Sequence, residues 1–289
     1  MRDNMKYRIV TDSSSNIMSM DSDFAAVPMK IVADREYVDD ASLDVADMVQ
    51  TLKNHKGKSS SSCPNVGEWL EAFGEAEYVF GITITKHLSG SFNAARHAAE
   101  TYIQERSDRK AYIFDSLATG PEMMLMADKI RQCEAAGDDF ETTKEKVLNY
   151  QNHLHTLFCL ESMNNLARNG RVNPAVAKIA GMLGIRVAGA AEGGKLAPSH
   201  KPRGPKKTIQ QLVEMIRDRG LKDGAKLRVA HCFAEEAALA LRDALLEEFP
   251  HLQFHLEPTT GLCSYYAEAG GLIIGFEGSF NAKNDNTKF

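Results

Sequence analysis

Apolar residues in the first half of the chain fall into short blocks, and longer stretches with helical spacing separate them. Tyr7-Arg8-Ile9-Val10 is one such block and ends in Thr11-Asp12-Ser13-Ser14. Residues 27–33 form a second extended segment, with Pro28 near its start. Tyr78-Val79-Phe80-Gly81-Ile82 and Ala111-Tyr112-Ile113-Phe114 are two further blocks of strand length, the latter ending in Asp115-Ser116. Residues 43–53, 65–76 (with Trp69, Leu70 and Phe73) and 92–105 have the spacing of helices. Pro121 opens another helix, because proline suits the first helical position. Such alternation predicts a parallel sheet with helices on its faces. In open sheets of this kind ligands bind beyond the carboxyl ends of the strands. Those ends carry Asp12-Ser13-Ser14, residues 85–91 and Asp115-Ser116.

The second half has a different texture. Residues 156–160 read as a strand, followed by Asn165-Leu166-Ala167-Arg168-Asn169-Gly170-Arg171 and an apolar helix over 174–183. Glu192-Gly193-Gly194 reads as a hairpin turn between 185–190 and Lys195-Leu196. The basic stretch Lys201-Pro202-Arg203-Gly204-Pro205-Lys206-Lys207 precedes a helix over 208–219. Then come a strand at 227–231, an amphipathic helix at 235–249, a strand at 252–256 and a closing strand at 271–276. The pattern predicts one domain over 5–280 with lobes at about 5–160 and 161–280, and a polar tail at 281–289.

Composition narrows the class. A chain of 289 residues is long enough for two lobes. A net charge of −5 argues against a general nucleic-acid binder. The five cysteines are widely spread and odd in number, which suits a reducing cytoplasm better than a disulfide framework. No apolar run is long enough to span a bilayer, and the first residues lack an apolar signal core.

The candidate chemistry lies in two serine-rich turns, Ser59-Ser60-Ser61-Ser62-Cys63-Pro64 and Leu88-Ser89-Gly90-Ser91, each placed just before a helix. Helix starts offer unpaired N–H groups and the positive end of the dipole, so an anion is held there at little cost. A lone serine before a helix is most often only a cap. Four consecutive serines and a Ser-Gly-Ser turn exceed what capping needs. Enzyme signatures are missing. No G-x-S-x-G elbow surrounds Ser89 or Ser91, and His87 and His97 have no clear orienting partner. No zinc, Walker or dinucleotide pattern occurs. Asp12 and Asp115 read as turn or cap residues. The twelve methionines, three of them at Met123, Met124 and Met126, are compatible with an irregular apolar cavity. Residues 82–84, 123–126 and 179–183 are candidate walls.

Thr11-Asp12-Ser13-Ser14, Ser61-Ser62-Cys63-Pro64, Leu88-Ser89-Gly90-Ser91-Phe92, Asp115-Ser116, residues 166–171 and Gly270-Gly271 together resemble the DegV family, in order over nearly the whole chain. The resemblance implies an α/β protein of two lobes, a parallel-sheet N-terminal lobe and a smaller α/β C-terminal lobe. It implies one long-chain fatty acid between them. The family's usual Thr-Ser-Gln-Pro and Ser-Gly-Thr match Ser61-Ser62-Cys63-Pro64 and Ser89-Gly90-Ser91, so Ser61, Ser62, Ser89, Gly90 and Ser91 are the implied carboxylate site. The family's usual Gly-Thr-His is replaced here, with Tyr265 near the His position. A phenol donates a hydrogen bond but does not titrate near neutrality. Arg168 and Arg171 stand where the family has Arg-Gly-Gly-Arg, and both are candidate neighbours of the head group. Some members present their acyl chain to a fatty acid kinase.

The resulting expectation is a cytoplasmic carrier, not an enzyme. It has no metal and no cofactor beyond a bound fatty acid such as palmitate or oleate. Lys201, Arg203 and Lys206 are candidate docking residues for a kinase. Two alternatives stay open. One is an enzyme acting on a small phosphorylated or carboxylated substrate at the same turns, with Lys86 and Arg96 as the nearby cations. The other is a regulatory module whose lipid is structural.

Overall fold

The computed structural model describes residues 6–18 and 21–281. The expected tail therefore lies outside the described residues except for Asn281, as does the domain's first residue, Met5. The first half runs β1 (Tyr7–Asp12), β2 (Phe24–Val27), β3 (Lys30–Val32), β4 (Glu36–Val38), α1 (Val45–Asn54), β5 (Ser60–Ser62), α2 (Val66–Phe73), β6 (Tyr78–Thr83), α3 (Ser91–Glu105), β7 (Lys110–Asp115), α4 (Pro121–Ala135) and α5 (Phe140–Gln151). The second runs β8 (Leu154–Leu160), α6 (Asn164–Arg168), α7 (Pro174–Ala180), β9 (Val187–Glu192), β10 (Lys195–His200), α8 (Pro205–Arg217), β11 (Lys226–His231), α9 (Glu235–Glu248), β12 (Gln253–Pro258), α10 (Gly261–Ala267) and β13 (Leu272–Glu277).

A four-stranded sheet of order β2-β1-β6-β7 is parallel throughout. Helices cover both faces, so β6 is buried at every position, and its sequence is a continuous apolar run for that reason. Local chemistry fixes the helix ends. Asn65 Oδ1 accepts from Glu68 N at 3.0 Å and Glu68 Oε2 accepts from Asn65 N at 2.7 Å, a capping box that starts α2. α4 begins with Pro121 after Gly120, whose φ is +61°.

The second sheet has six strands in the order β10-β9-β8-β13-β11-β12. All of its pairings are antiparallel except β11 with β12. Leu154–Leu160, which the sequence places at the end of the first lobe, hydrogen-bonds into this sheet between β9 and β13. The change of sheet therefore precedes Leu154. α4 packs on β6 of the first sheet and on β8, β11 and β13 of the second. It is thus buried at Met123, Leu125, Met126, Ala127 and Ile130, and its methionines fill the core between the sheets.

A third sheet, β4-β3-β5, changes the reading of the first serine motif. Ser60–Ser62 is a strand, not a turn, paired antiparallel to β3 with Ser61 opposite Ile31. Its side chains alternate, so Ser60 and Ser62 face solvent while Ser61 is half-buried.

Candidate functional site

An apolar cavity lies between the two larger sheets, with about 830 Å³ of empty space including its mouth. Met29, Ile84, Leu88 and Leu117 line it from the first half of the chain, and Phe158, Leu160, Leu166, Leu196 and Ile273 from the second. α10 adds Leu262, Cys263, Tyr266 and Ala267. Of the expected walls only Ile84 takes part. Residues 123–126 lie in the core, Ile179 and Ala180 pack in the core at the end of α7, and Met182 and Leu183 are exposed.

Polar groups meet at the place where the two serine segments touch. A side chain on Gly90 would meet Cys63 Sγ at 3.2 Å, so Cys63, which follows β5, and the turn before α3 are in contact. Ser61 Oγ and the Tyr266 hydroxyl share a 2.7 Å hydrogen bond, and both line the cavity. Ser89 lines it too, and its Oγ accepts from Ser91 N at 3.2 Å. Arg171 reaches the same wall; its Nε donates to the Leu88 carbonyl at 3.2 Å and its Nη1 to the Asn169 carbonyl. Burial raises the Tyr266 pKa, while the Ser61 bond and the Arg171 charge oppose that rise. The phenol is therefore neutral, and it can pass a hydrogen bond between Ser61 and a ligand.

The other expected residues are placed differently. Ser62 is exposed beside Lys30 in the third sheet, and Gly90 is the exposed cap of α3. Ser91 is fully buried, and its hydroxyl donates to Asp12 Oδ2 at 2.6 Å. A hydroxyl has one proton, so Ser91 cannot also donate to a carboxylate. Tyr265 lies behind the wall, where it bonds Ser59 Oγ at 2.8 Å and accepts from Asn169 Nδ2 at 2.9 Å. Successive residues on a helix point about 100° apart, so the neighbour Tyr266 takes the cavity position instead. Arg168 is exposed in a separate cleft with Tyr265, Lys53 and His55. Lys201, Arg203 and Lys206 are exposed around the start of α8.

Sequence reasoning missed the supports beneath the site. Asp12 is fully buried and accepts from Ile84 N at 3.0 Å, from Ser14 and from Ser91. Burial raises its pKa against those hydrogen bonds. Its place at the end of β1, on the ligand edge of a parallel sheet, was the available signal. Asp39, also buried, supports the start of α10. No signal marked Tyr266, because α10 is too short to show a period.

The arrangement can hold an elongated apolar ligand with an anionic end. It lacks the parts of a hydrolase, since Ser61 is hydrogen-bonded to a phenol and Ser91 to a buried carboxylate. The two cations considered for a phosphate site are both engaged, Lys86 with Asp115 at 3.6 Å and Arg96 with Glu100 at 3.8 Å. Among the described residues, no group of His, Cys, Asp or Glu could hold a metal ion, and no helix is long and apolar enough to cross a membrane.

Solved structures repeat this two-sheet frame. A DegV family protein from Eubacterium eligens loaded with heptadecanoic acid is 36% identical, with a TM-score of 0.92, and the match covers 94% of this chain and 100% of that one. The Streptococcus pneumoniae fatty acid kinase (Fak) B3 protein loaded with linoleic acid is 35% identical, with a TM-score of 0.92 and coverage of 95% and 100%. A DegV domain-containing protein of Streptococcus pneumoniae strain R6 is 36% identical over 280 residues, which is 94% of this chain and 99% of that protein. The family model described as "Uncharacterised protein, DegV family" matches residues 6–277. With its order of motifs, its two sheets and the cavity between them, the chain belongs to the DegV family.

Proposed function

We propose that this chain is a carrier, not a catalyst. It binds one long-chain fatty acid with the acyl chain in the cavity and the carboxylate at Ser61, Ser89 and Tyr266, and presents that carboxylate to a fatty acid kinase. The observation that carries the reading is an apolar cavity that meets a cluster of hydroxyls and Arg171, with no nucleophile–base pair beside them among the described residues. Relatives of similar fold hold heptadecanoic and linoleic acid, and one of them is named for a fatty acid kinase. Burying sixteen carbons contributes on the order of 10 kcal/mol at about 0.8 kcal/mol per methylene. Ordering the chain offsets part of this. Arg171, which lines the cavity, supplies positive charge to the head group, and Lys201, Arg203 and Lys206 are the docking residues of the proposal. Five free cysteines fit a reducing cytoplasm.

Native mass spectrometry of the purified protein tests the function. The expected spectrum shows a mass increment that an organic extract identifies as a single-chain fatty acid. A bare polypeptide that also fails to bind added palmitate or oleate overturns the lipid reading and favours the enzyme alternative.

A further inference from the structure

We propose that Asp39 is the positioning residue of the head-group site, fastening the helix that carries Tyr266 to the sheet that carries Ser61. The proposal rests on the carboxylate-binding reading above. Asp39 follows β4 directly, and its N–H donates to the Met29 carbonyl at 2.9 Å, which ties it to the third sheet. In that sheet β4 pairs with β3, and β3 pairs with β5 at the Ile31–Ser61 rung. The Asp39 side chain crosses to α10. Its Oδ1 accepts from Gly261 N at 2.7 Å, and its Oδ2 accepts from Leu262 N at 2.8 Å and from Ser13 Oγ at 2.7 Å. Gly261 and Leu262 give the first N–H groups of the helix, which have no partner inside it.

Seven residues are too few for a helix to hold its own shape or direction. α10 therefore takes its orientation from the groups it is bonded to and packed against, and at its start those include Asp39. Tyr266 lies four residues after Leu262, one turn on and on the same face, and both line the cavity. A shift at the helix start moves the phenol relative to Ser61. The close approach is also written into the sequence. A side chain on residue 261 would lie 2.6 Å from Asp39 Oδ1 and 2.6 Å from Leu43 Cδ2, so only glycine allows the contact.

Stability alone does not account for the choice of a carboxylate. Among the described residues Asp39 makes no ion pair, and the titratable groups facing it are the Asp12 carboxylate at the end of β1 and the Cys263 thiol of α10. Burial lifts the Asp39 pKa to about 6. A buried charge without a countercharge costs folding free energy, and only its three accepted hydrogen bonds offset that cost. What those bonds secure is the geometry of the Ser61–Tyr266 pair.

A double-mutant cycle tests the proposal, with oleate affinity measured by calorimetric titration of delipidated protein. Asp39→Ala and Tyr266→Phe are each expected to weaken binding about tenfold. The double variant is expected to be no weaker than the worse single one, because Asp39 acts through Tyr266. Multiplying losses, or an unchanged affinity in Asp39→Ala, overturn the proposal. If Ser61→Ala and Tyr266→Phe both leave affinity unchanged while oleate still binds, the head-group reading itself fails, whatever Asp39 does. If Asp39→Ala does not fold, Gly261→Ala replaces it in the cycle. That variant keeps the carboxylate and pushes the helix start away from it, and the same non-additivity with Tyr266→Phe is expected.

Discussion

Ser61 and Ser91 carry the same hydroxyl in similar serine-rich motifs, yet their partners give them different work. Ser61 shares its bond with a phenol on the cavity wall, so a ligand can compete for it. Ser91 donates its one hydroxyl hydrogen bond to a buried carboxylate. Ser61→Ala should therefore lower oleate affinity about tenfold with little change in stability, since one hydrogen bond to a charged group is worth about 1.5–3 kcal/mol. Ser91→Ala should lower the unfolding free energy by about 1–3 kcal/mol by taking a donor from Asp12. Urea unfolding beside calorimetry separates the two, and the opposite pairing of effects would reject the assignment. The hydroxyl types were legible in the sequence. Their partners were not, because Asp12 and Tyr266 are far away along the chain. Glu122 shows the same limit. It is fully buried, accepts from Thr156 Oγ1 at 2.5 Å, and burial lifts its pKa from 4.5 to about 8. The folded state thus keeps a proton that the unfolded state has lost. Stability should be level below about pH 4.5, fall by a few kcal/mol up to about pH 8 and level off above it. Glu122→Gln should remove most of that fall in urea melts, and an unchanged slope would show that another group titrates.

Whole elements were legible where one face is apolar and the ends are marked. α2, α3 and α4 have such faces, and a capping box and a proline mark two of the starts. α5 went unseen because its inward face includes Thr143 and Gln151 beside Phe140 and Val147, which hides the period. β5 went unseen because three serines resemble a turn, and only pairing with β3 makes them a strand. The β9–β10 hairpin was legible from Gly193-Gly194, whose φ angles of +56° and +79° are what a tight hairpin turn requires. Its tip also reaches the site, since Gly194 lines the cavity and a side chain there would run into Thr85 Oγ1 and lie 3.0 Å from His87 Cδ2. Gly194→Ala should therefore weaken oleate binding as well as strain the turn. Gly137→Ala is the control, because its φ of +80° is equally strained but nothing lies within 4 Å of an added side chain. The control should lose about 1 kcal/mol of stability and keep its affinity. Equal affinity in both variants would separate the hairpin from the ligand.

At the scale of the molecule, alternation of strands and helices was enough to indicate the parallel sheet. The mixed sheet was not legible, since its last strand, β13, inserts between β8 and β11, and no local pattern encodes that insertion. α4 and α10 contact elements of both halves, and Arg171 and Lys195 line the cavity between them. The chain as a whole carries a net charge of −5, so the exposed Lys201, Arg203 and Lys206 form a local exception on the second half. Exposed charge of this kind acts mainly on encounter, raising the association rate with an acidic partner surface and giving it a salt dependence. None of the three lines the cavity. Changing all three to Glu should therefore slow association with a purified fatty acid kinase and flatten the dependence of that rate on ionic strength, with oleate affinity unchanged. Stopped-flow association at several salt concentrations, set beside lipid titration, reads both quantities. Normal association with lost lipid binding would reverse the assignment and move these side chains from partner docking to the ligand.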